Sequence, residues 1–431
     1  MASATGRRVR QPGIPFVLFT VFLSVLGIGL IIPVLPQLIT DLAGGEASDG
    51  SRVYGLFVAA YAAMQFLFAP VLGALSDRFG RRPVLLLSVF GAGIDYLVMA
   101  LAPNLAWLFA ARLVAGMTAA NITVANAYIA DITPATDRAR RFGLVGAAFG
   151  LGFIVAPALG GLLGSLGLRV PFLAAAGVAL LNGLYGLLVL PESLPRERRR
   201  PLRLRHANPI GSLRLLRGFP GVGGLATVYL TASLAQALLQ AIWVLFTTAR
   251  FGWGPLENGL ALALLGLLTA AMQGFGIRPL LRRWGERRAI VVGLSASAAA
   301  YALYAVVPSG AWLLAVMPLG SLGGIAGPAL QGLVSRAVPD DQQGSVQGSL
   351  AALVSLAAIA SPIVATTLFA YFTGPSTPVF LPGAPLVFGG LLLVAAVALA
   401  SRAARAAQAP AVPDEAATAS AAVAAAPVRG R

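Results

Sequence analysis

The 431-residue chain is 58% hydrophobic and only 11% charged, with a mean hydropathy of +0.83, which excludes an ordinary soluble globule. Its formal charge of +16 comes from arginine alone, and these arginines sit in short segments between apolar runs, as topology signals rather than a nucleic-acid footprint. The absence of cysteine excludes a disulfide framework and thiol chemistry.

Apolar runs of about 20 residues recur, each long enough to cross a hydrocarbon core of ~30 Å. Residues 1–13 form a basic tail with Arg7, Arg8 and Arg10. No cleavable signal peptide is expected, because the first run is too long and lacks a small-residue cleavage site. Helix 1 is predicted over 14–38 and holds Pro33 and Pro36; residues 41–52 read as a polar loop. Helix 2 ends in a tight charged turn, Gly73-Ala-Leu-Ser-Asp77-Arg78-Phe-Gly80-Arg81-Arg82-Pro83, which leads into helix 3. Three arginines in so short a turn place it in the cytoplasm. Helix 3 carries Asp95; helix 4, over 105–130, carries Arg112, Asn121 and Asn126. After a basic turn at Arg138, Arg140 and Arg141, helix 5 (143–164) is glycine-rich with Pro157 inside, and helix 6 ends near Leu190.

Residues 191–218 differ in kind: eight arginines, four prolines and no long apolar run. They read as a cytoplasmic linker, and its histidine, His206, as a solvated group. Six further helices are predicted over 219–248, 257–281, 289–307, 311–334, 346–372 and 380–400, followed by an Ala/Pro-rich, low-complexity tail. The expected organisation is therefore a cytoplasmic tail (1–13), a six-helix bundle (14–190), a linker (191–218), a second six-helix bundle (219–402) and a disordered tail (403–431). The fold class is all-α and integral to the membrane, with twelve spans and both termini cytoplasmic.

The two bundles read as copies. At one offset of 205 residues, Gly80 falls on Gly285, Pro134 on Pro339, Gly143 on Gly348 and Pro157 on Pro362. Parallel repeats imply a central site and rocking alternating access. The same offset places Arg81 on Glu286 and Asp131 on Arg336, an exchange of sign. It preserves attraction if Arg81 pairs with Asp131 and Glu286 with Arg336; independent drift of solvated charges is the alternative. Asp77 falls on Arg282 and breaks the symmetry.

These residues carry a family resemblance. Gly73-x-Leu-x-Asp77-Arg78-x-Gly80-Arg81-Arg82 resembles the signature loop of the major facilitator superfamily, and Arg112-x-x-x-Gly116 a second signature. Gly152-Phe-Ile-Val-Ala-Pro157-Ala-Leu-Gly160-Gly161 resembles the signature of its drug/proton antiporters. Gly27-Ile-Gly-Leu-Ile-Ile-Pro33, Tyr61-Ala-Ala-Met-Gln65, Asp95-Tyr96, Tyr128-Ile-Ala-Asp131 and Pro328-Ala-Leu-Gln331 are similar to the tetracycline efflux antiporters. The resemblance implies a non-enzymatic exporter of tetracycline-like or other amphipathic drugs, driven by protons, in the bacterial inner or plasma membrane. No cofactor is implied, although a divalent cation can accompany a tetracycline-like substrate. Nothing in the motifs specifies an oligomeric state.

The chain also departs from that family. Where such antiporters carry an acid on helix 1, a histidine on helix 8 and an acid on helix 9, it has Ser24, Thr269 and Ser297. Hydroxyls do not exchange protons near neutral pH, so a facilitator or differently coupled metabolite exporter remains an alternative, as does a non-transporting sensor. Asp95 is the candidate coupling carboxylate, because charge inside the membrane is expensive and marks a pathway; permanent pairing with Arg112 is the other reading. Gln65, Asn121 and Asn126, with Gln236 and Gln240 beside Trp243 on helix 7, are candidate ligand-binding amides or interhelical contacts. Gly73, Asp77, Arg78, Gly80, Arg81, Arg82, Asp131, Glu286, Arg336 and Pro157 form the gating set. In the outward-facing state Asp77 is expected to meet the helix 11 N-terminus at 344–347, a contact worth ~0.3–1 kcal/mol.

Overall fold

The computed structural model describes residues 13–119, 121–199, 201, 222–339, 342–375 and 377–406. Most of the linker, His206 and the tail from 407 lie outside them. Among the described residues eleven helical stretches are long and apolar enough to span a membrane; one, Pro255–Val306, is 52 residues long and turns at Gly285, so the spans number twelve.

The first six are α1 (Gly13–Ile31), α2 (Ala47–Phe79), α3 (Arg81–Leu101), α4 (Leu105–Thr118, continued by Asn121–Ile132), α5 (Arg138–Leu166) and α6 (Val170–Val189). In the second half follow α7 (Val222–Phe251) and α8, which starts as Pro255–Ala271 and runs through a wide π turn at Met272–Gly276 to the kink at Gly285. The remaining spans are α9 (286–306), α10 (Gly310–Leu322, continued by Ala326–Arg336), α11 (Gln343–Thr373) and α12 (Ala384–Ala406).

Three expectations about the elements need correcting. Helix 1 stops at Ile31, where Pro33 and Pro36 bar a continuous ladder, and a short separate helix, Leu35–Leu42, follows. Residues 41–52 are not a polar loop: Asp41 lies in the last turn of that short helix, and α2 already begins at Ala47. Span 4 is interrupted at Ala119, whose ψ of 68° is not helical.

The repeat is visible in the backbone. Gly80, between α2 and α3, has φ 110°, and Gly285, between α8 and α9, has φ 69°. A side chain is strained at such angles, so each hairpin turns on a glycine at the same register. The α7–α8 hairpin is held differently. Buried Asn258 accepts from Thr247 Oγ1 at 2.5 Å and donates to the Gly254 carbonyl at 3.0 Å, so its loop backbone is satisfied without water.

The halves meet mainly through two crossings, α2 with α11 and α5 with α8. In each, a glycine of one half presses on the helix of the other near its internal proline. A Cβ on Gly55 would lie 2.9 Å from the Pro362 carbonyl oxygen, and one on Gly259 would fall onto the Pro157 carbonyl. Gly161, from the motif in α5, lies against Pro255 and Gly259, whereas Ala156 packs on Gly29 inside the first half.

Gly55 is 22 residues before Asp77 on one helix, roughly 33 Å along its axis. The crossings therefore lie toward the end of the molecule opposite the arginine-rich turns. At the arginine-rich end, a Cβ on Gly73, Gly143, Gly146, Gly344 or Gly348 would meet no described atom within 4 Å. The two halves touch at the far end and part at the basic end.

Candidate functional site

A cavity of about 190 Å³ lies within the first half, walled by α1, α2, α3, α4 and α6. Its floor is the pair predicted from sequence. Arg112 Nη2 donates to Asp95 Oδ2 at 2.5 Å, with both residues more than nine-tenths buried. The Tyr61 ring lies 5.2 Å from the Arg112 guanidinium carbon, a cation–π contact that compensates part of its lost hydration. The second Asp95 oxygen and Arg112 Nε are buried without a hydrogen-bond partner. This carboxylate is thus only half satisfied, next to space that a proton, water or ligand group can enter.

Gln65 also lines the cavity and donates to the Ala119 carbonyl at 3.5 Å. The other proposed amides do not gather there. Asn126 is half-buried outside the lining, and Gln236 and Gln240 are exposed on α7. The Asn121 side chain lies outside the described residues. Trp243 is buried against Tyr304 with ring centroids 5.9 Å apart, so it is packing rather than a ligand wall.

Sequence reasoning missed Asn182 on α6. It is 3% exposed, lines the cavity, and its Oδ1 accepts from Thr20 Oγ1 at 3.1 Å. That bond fixes the amide so that its NH₂ group is left for the cavity. An amide in the middle of an otherwise apolar span was the available signal.

Ser24 borders the same cavity, whereas Thr269 and Ser297 belong to the second half. At the repeat positions of Asp95 and Arg112 stand Ala300 and Met317, both fully buried in apolar core. Among the described residues the buried charge is confined to the first half.

At the basic end both sign-exchanged pairs form. Arg81 Nε donates to Asp131 Oδ2 at 3.0 Å, and Arg336 Nη2 pairs with Glu286. They are unequal. The Arg81 side chain is 12% exposed and also binds Asp77 and Ser76, each at 2.6 Å; Arg336 is 61% exposed. Arg336→Ala should therefore change stability by only ~0–1 kcal/mol. Transport should fall with Glu286→Arg or Arg336→Glu alone and recover when both are combined; a double variant no better than the singles would show that the pairing is incidental.

Asp77 pairs with Arg81 and not with α11 in this conformation. Arg78 lies 5.3 Å from the Phe79 ring centroid and is otherwise exposed, as suits a residue at the membrane face. Gly73 borders open space, and Gly80 supplies the turn. Pro157 sits inside α5 at the α8 crossing.

Two repeated six-helix bundles, crossed at one membrane face and parted at the other, with a charged pair buried beside a cavity, define a multi-pass membrane transporter. The chain belongs to the Major Facilitator Superfamily, whose profile it matches over residues 17–362 and 225–428. It is 49% identical over 354 residues to the class C tetracycline resistance protein of Escherichia coli, covering 82% of this chain and 89% of that protein. It is 41% identical to the class G tetracycline resistance protein of Vibrio anguillarum, covering 83% and 90%. The crystal structure of the human organic anion transporter MFSD10 superposes with a TM-score of 0.65 at 27% identity, covering 90% of this chain and 99% of that one.

Proposed function

We infer that the protein exports tetracycline-like or related amphipathic drugs across the bacterial inner or plasma membrane, in exchange for protons, by alternating access. The observation that carries this is the half-satisfied Asp95–Arg112 pair beside the cavity, in a chain 49% identical to a tetracycline resistance protein. Positive-inside placement assigns the basic end to the cytoplasm. In this reading the structure is the inward-open state, and a divalent cation travels with the drug as cargo.

Asp95 takes the coupling role because Ser24, Thr269 and Ser297 have no acid or imidazole to offer. The same three residues support a second reading, export without proton coupling. Accumulation of labelled tetracycline in inverted vesicles separates the two. Antiport requires an imposed pH gradient, gradient-independent flux supports the second reading, and absence of flux with several drugs rejects export.

Asp77 is the cytoplasmic latch. On closure it exchanges part of its contact with Arg81 for the N-terminus of α11, where a helix dipole favours a carboxylate by ~0.3–1 kcal/mol. Asp77→Asn should insert normally and transport poorly; a wild-type rate in vesicles rules the latch out.

A further inference from the structure

The linker's first residues hold a device that the sequence motifs did not show. Glu192 lies just beyond α6, and its carboxylate accepts from the backbone N–H of Arg81 at 2.8 Å and of Arg82 at 3.2 Å. Those are the first two amides of α3, donors with no partner inside the helix. A third bond, from Leu194 N at 3.0 Å, folds the strap back on itself. Two more contacts pin the same segment, Tyr128 donating to the Pro191 carbonyl at 3.0 Å and Ser193 to Asp131 at 3.3 Å, while Arg82 Nη2 donates to the Leu187 carbonyl in the last turn of α6 at 2.6 Å. The glycine is required by its φ of 110°, and a Cβ there would also push the Glu192 carboxylate from its place against the α3 amides.

The opposite end of α3 is held in the same way. Arg169, which precedes α6, donates to the carbonyls of Ala100 and Ala102 at 3.2 and 3.0 Å. The two ends of α6 thus supply an anion to the N-terminus of α3 and a cation to its C-terminus, each favourable to the helix dipole. Asp131 receives both Arg81 and Ser193, so strap and gating loop share one acceptor.

We propose that residues 191–194 form a fixed strap, anchored by Glu192, that positions the turn at residues 77–82 for closure of the cytoplasmic side. Glu192 is a positioning residue: it does not line the cavity. The role in closure rests on the latch reading of Asp77, but the anchoring does not.

The test uses the full-length protein in two assays. Amide hydrogen exchange reads the anchoring directly. In Glu192→Ala the Arg81 and Arg82 amides should exchange about tenfold faster, and in Glu192→Gln, which keeps an acceptor but loses its charge, about threefold faster. Tyr128→Phe, isosteric and without the bond to Pro191, should move exchange the same way by a smaller factor and guards against a Glu192 variant that fails to fold. The second assay reads closure. Since the chain has no cysteine, Ala74→Cys and Gln347→Cys introduce its two thiols, and their cross-linking rate reports approach of α2 to α11. That rate and tetracycline turnover should fall together in the Glu192 variants, with KM unchanged. Unchanged exchange in Glu192→Ala and Tyr128→Phe overturns the strap. Faster exchange with wild-type cross-linking and turnover overturns its role in closure. If Asp77→Asn alone leaves cross-linking intact, the latch reading fails and the exchange result still decides the strap.

Discussion

Asp95→Asn should abolish pH-gradient-driven accumulation of tetracycline and destabilise the protein, whereas Asp95→Asn combined with Arg112→Gln should restore stability but not accumulation. The single substitution leaves Arg112, only 8% exposed, as a buried cation without its counter-ion. Breaking one side of a buried pair costs about 3–5 kcal/mol, while removing both partners is far closer to neutral. The contact with Tyr61 offsets only part of this, since a desolvated cation–π interaction contributes about 2 kcal/mol. Structural and transport roles of Asp95 thus separate in one pair of measurements, thermal unfolding in detergent and uptake into inverted vesicles. A double variant that is stable and still accumulates drug in response to the gradient would make the pair structural only. The prediction is sharper because the second half holds Ala300 and Met317 at the equivalent positions, where no substitute pair can form.

How much of this was legible follows from the range of each signal. Spans and turns are local: about 20 apolar residues must cross, and arginine marks the loops. The fixed offset of the repeat carried further, since it matched Gly80 to Gly285 and both proved to be positive-φ hinges. Sign exchange between Arg81–Asp131 and Glu286–Arg336 encoded tertiary pairs, because a swap preserves attraction only where partners touch. Glu192 carried no such signal. It stands in a segment dominated by arginine, and its partners are backbone amides, which leave no mark on sequence. Asn182 and Thr20 meet across 162 residues, a contact that depends on α1 packing on α6. Gln236 and Gln240, a polar pair one turn apart, lie exposed on α7, in the other half from the cavity.

Gly259→Ala should stop transport by a different route, with little effect on folding of either half. The added methyl would meet the Pro157 carbonyl and lie 2.8 Å from Gly161 Cα. Both neighbours are backbone and cannot turn aside, so α5 and α8 must separate at the far end. Forcing extra volume into a packed contact costs about 1–3 kcal/mol, and each 1.4 kcal/mol shifts a two-state equilibrium about tenfold. The conformation described here, closed at the far end, should lose population by roughly 10- to 100-fold, and turnover should fall with it. A membrane-impermeant maleimide should then label Leu163→Cys from the far side faster in the Gly259→Ala background. Gly143→Ala is the control, because a Cβ there meets no described atom within 4 Å and alanine is the better helix former by ~1 kcal/mol. Equal losses in both variants would mean that glycine serves helix flexibility; loss in Gly259→Ala alone places the function in the crossing. Gly55→Ala, which presses on the Pro362 carbonyl at the paired crossing, should repeat the Gly259 phenotype if the two crossings form one gate.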